Sequence, residues 1–204
     1  MQMTSRTSSR NHRGMAASDT SRRVAWIALL TAACALLTLQ FACATPFAAL
    51  GALAAVNMSR RDALFLAVSA WLANQAIGYG VLGYPNALAT HAWGIAIGIA
   101  GVLAVAAALP VAARMRAIGG AIIATMAAFV AAGAVYQVAL YPWSLILPGG
   151  GSAFSFGVVT YVLKWNVIAL AVLLILHQLA VRIGLLTRRT ESQRHKAATL
   201  QTAR

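Results

Sequence analysis

The sequence predicts an all-α polytopic membrane protein, a bundle of six transmembrane helices. Three observations carry that reading. Apolar residues make up 61% of the 204 residues and charged residues only 9%, against about 45–50% and about 25% in an ordinary globular domain. Long apolar runs recur along the chain, and of the sixteen basic residues only Lys164 lies well inside one, with Arg182 at the very end of the last. The runs are continuously apolar rather than alternating, which excludes barrel strands. Lipid admits only helices and closed barrels, because every backbone polar group needs an internal partner. A soluble fold of this composition would carry large exposed apolar patches, and two cysteines are too few for a disulfide scaffold.

Taken in order, residues 1–21 are polar and rich in Ser, Thr and Arg, which predicts a disordered basic cytoplasmic tail. Val24–Ala42 is the first uncharged run, nineteen residues long, enough to cross a hydrocarbon core about 30 Å thick. Its length and the runs behind it argue against a cleaved signal peptide. The second run, Thr45–Val56, has twelve residues with Pro46 near its start, and alone it reads as a short span or a re-entrant arm. Ala63–Val81, Ala92–Ala113, Ile118–Leu140 and Phe156–Ile183 follow. The membrane domain is therefore 22–186, with a second basic tail over 187–204.

The net charge of +13 raises the question of a nucleic-acid partner. A nucleic-acid binder gathers basic residues on one face with aromatic residues between them. Here they bracket hydrophobic segments: five precede the first run, Arg60, Arg61, Arg114 and Arg116 sit in two short breaks, and six close the chain. If the second run crosses, every one of these falls on the same side, and the loops around 43–45, 82–91 and 141–155 contain no Lys or Arg. That asymmetry fixes the orientation. The expectation is a bacterial inner-membrane protein with both termini cytoplasmic, the lipid bilayer as its medium and no nucleic acid among its partners.

Polar residues inside lipid are costly, so those that remain are the candidates for function. Asn74 and Gln75 lie late in the third run, ahead of a loop carrying Tyr79, Tyr84 and Asn86. Gln137 lies late in the fifth, followed by Tyr141, Pro142 and Trp143. The spacing from Gln75 to Tyr79 recurs from Gln137 to Tyr141, a faint internal repeat or chance. Aromatic rings at this rim fit a headgroup belt, but inward amides fit the wall of a binding cavity. Lys164, beside Trp165 and Asn166, has two readings: its ammonium reaches the outer headgroups, or it lines the cavity with Asn166. Trp71 and Trp165 would add wall area. Cys34 reads as a small buried hydrophobe. Cys43, at the end of the first run, could serve with His91 as a soft metal ligand, against a packing role for both. The glycines of Gly94–Gly101 read as close-approach positions for helices. Asp19, Asp62 and Glu191 are the only acidic residues and none lies within a run. No P-loop, HExxH or GxSxG sequence occurs, so no enzyme activity is expected.

A small bundle of this kind, without catalytic motifs and with a polar-aromatic outer mouth, resembles the substrate-binding components of energy-coupling-factor vitamin transporters. The resemblance covers residues 24–184 and is mostly topological, with Ala28-Leu29-Leu30-Thr31-Ala32 matching the family's small-residue pattern in the first helix. Phe47–Pro85, with Arg60-Arg61-Asp62 and Trp71-Leu72-Ala73-Asn74-Gln75, is similar to small membrane proteins associated with bacterial cobalamin or cobalt uptake. The resemblance implies capture of a small-molecule micronutrient, with a corrinoid as the best candidate, and energising transporter subunits as partners. The polar and aromatic residues singled out by their placement, Asn74, Gln75, Tyr79, Tyr84, Gln137, Tyr141, Trp143, Lys164 and Asn166, are then the expected substrate contacts. Cys43, with His91, would meet the cobalt of a bound corrinoid, and no other cofactor is expected. The rival expectation is a non-transporting scaffold subunit that packs against partner helices.

Overall fold

The structure, a computed structural model, describes the backbone of residues 5–41 and 45–186 and the side chains of 20–39 and 45–186. Among the described residues every regular element is a helix: α1 (Ser5–Phe41), α2 (Phe47–Asn57), α3 (Arg60–Gly80), α4 (Leu88–Ile146), α5 (Gly150–Ala153) and α6 (Phe156–Arg182). Three segments are long and apolar enough to cross a membrane, namely Thr20–Leu39 of α1, α4 and α6. Six apolar runs reduce to three such helices for physical reasons. α2 is too short, α3 is diluted by Arg60, Arg61 and Asp62 at its start and by the amides Asn74 and Gln75, and α4 joins two runs. α1 also begins inside the segment expected to be disordered, because an apolar helix propagates backwards through residues that tolerate it.

Two compact units divide the chain, Ile27–Leu173 and a smaller one formed by Met1–Trp26 with Leu174–Arg204. Within the smaller unit, the ring of buried Trp26 lies 5.7 Å from that of His177.

In the larger unit α2 is the centre. Nine of its eleven residues are buried, as expected of a helix that is apolar on every side. Pro46 stands at its N-cap position and offers no side-chain acceptor. The acceptor comes instead from far along the chain: Asn166 Oδ1 on α6 receives the backbone N–H groups of Ala48 (3.2 Å) and Ala49 (3.4 Å). At the other end, Arg116 Nη2 donates to the Val56 carbonyl at 2.7 Å, placing a cation where the helix dipole is negative. α3 starts on an ordinary cap. Ser59 Oγ accepts from the Asp62 N–H and donates to the Asp62 carboxylate, at 3.2 and 2.8 Å, with Asp62 favoured in the first turn.

The helix labelled α4 is two limbs, 88–119 and 121–146, meeting at Gly120 with φ 76° and ψ −167°. Only glycine takes that conformation without strain. The limbs run antiparallel along α2: Phe47 packs on Gly101 and stacks on Tyr136 with ring centroids 5.8 Å apart. One turn on, a Cβ added to Gly51 would stand 3.3 Å from Ala132 Cβ and 3.5 Å from Val105 Cα. Gly120→Ala is expected to lower stability by about 1–3 kcal/mol, readable as a lower unfolding temperature in detergent; an unchanged midpoint would contradict the reversal at this residue.

These contacts bring the two arginine breaks together. Arg116 reaches Val56, so the tip of the α4 hairpin and the α2–α3 connection occupy one end of the unit. At the opposite end Trp93 Nε1 donates to the Pro148 carbonyl at 3.0 Å, bridging the start of the first limb to the segment after the second. Large apolar side chains elsewhere stand exposed, among them Phe65, Ile122, Val130 and Leu145 at 63%, 78%, 68% and 69%. Water would penalise such a surface and lipid would not.

Candidate functional site

The end away from the arginines holds a cleft of about 420 Å³ between α3, the 81–87 connection and the start of the first α4 limb. α3 buries the face formed by Ala63, Leu66, Ala67, Ala70, Asn74 and Gly78, so the helical repeat that packs the alanines also turns Asn74 inward. Its side chain is 3% exposed and its Oδ1 has no hydrogen-bond partner. Such a group ordinarily costs about 1–3 kcal/mol when left unsatisfied. Gln75 follows on the cleft wall, its amide lying over Gly94, where a Cβ would come within 2.5 Å of it. One turn earlier, Trp71 lies over Gly98 and donates its indole N–H to the Gly94 carbonyl at 2.8 Å. The glycines of the first limb are therefore seats for α3 side chains. Tyr84, Pro85, Thr90, Trp93 and Pro148 complete the polar and aromatic wall, and no charged residue lines it.

At the rim a hydrogen-bonded chain ties three elements together. Tyr79 Oη and His91 Nδ1 are 2.8 Å apart, and His91 Nε2 and Asn86 Oδ1 are 2.7 Å apart. The Tyr79 and His91 rings also stack at 5.1 Å. Both ring nitrogens of His91 are thus engaged by neighbours, which accounts for this residue without a metal. Cys43, its expected companion, lies outside the described residues. Among the described residues no group of three His, Cys, Asp or Glu side chains converges.

The other amides do not join this cleft. Gln137 and Asn166 line a separate groove of about 310 Å³ between the start of α2, the second α4 limb and α6. Asn166 is there for a structural reason, since its Oδ1 caps α2 and its Nδ2 donates to the Val162 carbonyl at 3.0 Å. Tyr141, expected to contact substrate, is 53% exposed and meets Phe154 edge-on at 5.5 Å. Trp143 is half-buried and lines neither space. Lys164 is exposed, its ammonium 5.5 Å from the centre of the Trp165 ring, and lines neither space.

Of the nine expected substrate contacts, Asn74, Gln75 and Tyr84 come together and Tyr79 stands at their rim. Sequence reasoning missed Thr90 and Pro148 in the cleft and Thr45 in the groove. Only Thr45, a polar residue just before the short apolar run, carried a signal that could have found it. No protein-family model, curated protein or solved structure matches the chain.

Proposed function

We propose that this chain is a six-span membrane protein with both termini cytoplasmic that captures a small uncharged molecule from the outer side of a bacterial inner membrane. The observation that carries the reading is Asn74: a buried amide with an unsatisfied oxygen, set in an uncharged aromatic cleft, matches a site awaiting a ligand's hydrogen-bond donor. Four considerations support the topology. Each α4 limb exceeds the roughly 20 residues a span requires; the α3 run is of spanning length; the arginine breaks share one end of the larger unit; and basic residues are absent from the loops of the other end. The lack of charge in the cleft favours neutral ligands, because a buried ion would need a partner. Binding, not catalysis, is the proposed role, with separate energising subunits as partners.

A corrinoid remains the named candidate. The volume of the cleft, near the lower end of ligand cavities, favours a compact molecule or the projecting edge of a larger one. The test is uptake of labelled cobalamin in a cobalamin-requiring strain that lacks its own transporter. Rescue by the intact protein is expected, with Asn74→Ala reducing uptake about tenfold, the scale of one lost buried hydrogen bond. Absence of rescue at verified expression removes corrinoids as substrate. Undiminished rescue by Cys43→Ala removes the cobalt-ligand role alone. Undiminished rescue by Asn74→Ala removes the cleft.

A further inference from the structure

The second space lies deeper than the first. Phe47, the first residue of α2, is level with Gly101 near the middle of the first α4 limb, so α2 begins part-way through the larger unit and runs only to the arginine end. Non-helical backbone at such depth is tolerated where protein covers it, and Thr45 and Pro46, which precede α2, are both buried. The groove opens beside this half-length helix. Its outer walls include Val130 and Leu163, 68% and 55% exposed, surfaces that lipid would cover. Entry is therefore from the hydrocarbon layer, not from water.

Two features give the groove a chemistry. Thr45 is 4% exposed, lines the groove, and its hydroxyl has no hydrogen-bond partner. It supplies one donor, and the half-buried Gln137 amide supplies a second. Around them stand the rings of Phe47, Phe129 and Tyr136, with Phe47 and Tyr136 already stacked at a 29° interplanar angle. No charged side chain lines the space. The first amides of α2 offer nothing to an anion either: those of Phe47 and Leu50 bond to the carbonyls of Thr45 and Pro46, and those of Ala48 and Ala49 to Asn166.

From this combination we infer that the groove between α2, the second α4 limb and α6 binds a membrane-dissolved, uncharged compound with a carbonyl-bearing planar ring, of the quinone class. The ring lies among Phe47, Phe129 and Tyr136, and its carbonyl oxygen accepts from the Thr45 hydroxyl. The groove shares no lining residue with the Asn74 cleft, so either assignment can fail while the other stands.

The probe is decylubiquinone, titrated into the purified full chain in detergent, with retention on a desalting column and quenching of intrinsic fluorescence as readouts. Saturable binding is expected. Thr45→Val, near-isosteric but without the donor, weakens it about fivefold. Ala134→Phe, a ring placed from an exposed groove position, abolishes it. Ile122→Phe, on the same limb but outside the groove, leaves it unchanged, which shows that an added ring does not act through misfolding. Three results overturn the inference: no saturable binding by the intact protein, equal binding by Ala134→Phe, or equally tight binding of an alkyl chain of matched length without a carbonyl. The last would make the groove a seat for an acyl chain.

Discussion

Gly101→Leu is expected to destabilise the protein by about 3 kcal/mol, at the upper end of the range for overpacked cores. A Cβ at this position would stand 2.6 Å from the Phe47 ring. Phe47 cannot retreat, because it is 1% exposed and stacked on Tyr136 from the second limb. A larger side chain therefore drives α2 off the first limb or the second limb off α2. The measurement is the unfolding midpoint in a denaturing detergent titration, with Gly157→Ala as the control, since a Cβ there meets nothing within 4 Å. A Gly101→Leu protein as stable as the control would mean that α2 is not seated between the limbs.

Asn166→Leu carries the other large effect, about 2–4 kcal/mol. Leucine keeps the branched shape and removes the acceptor, leaving the Ala48 and Ala49 N–H groups buried and unpaired, each at a cost of about 1–3 kcal/mol; partial relaxation keeps the total below the sum. Stability alone would not distinguish this loss from poor packing. Amide hydrogen exchange does: protection at Ala48 and Ala49 should fall by more than at Leu53 or Ala54 further along the same helix. Uniform loss of protection along α2 would reject Asn166 as its cap. The exposed neighbour Lys164, changed to Leu, should leave both readouts close to those of the intact protein.

Much of the fold was legible because the signals were local. Apolar runs announce helices, and the paired arginines announce breaks that the structure brings to one end. The glycines at 94, 98 and 101 were readable as close-approach positions, although not which side chains they would receive, the Gln75 amide and the rings of Trp71 and Phe47. What was illegible depended on distance in the chain. Nothing near Asn166 says that it completes a helix 118 residues earlier, so an inward amide looked like a substrate contact when it is a cap. The same difficulty separated Gln137 from Asn74 and Gln75: all three amides lie late in their runs, and the packing of α3 and of the second α4 limb puts them in two spaces. Asn74 differs because its own helix determines its direction, four residues after Ala70 on the buried face. Thr45 carried a signal, a hydroxyl at the head of a short apolar run, but before a proline the same residue reads as part of a turn.

α2 is pinned like a bolt between two latches, Asn166 at its beginning and Arg116 at its finish. The first latch holds by two longer bonds to neutral groups and the second by one short bond from a cation. Charge-assisted bonds hold harder than neutral ones, so the leading end, held at 3.2 and 3.4 Å, is expected to fray before the end that the arginine holds.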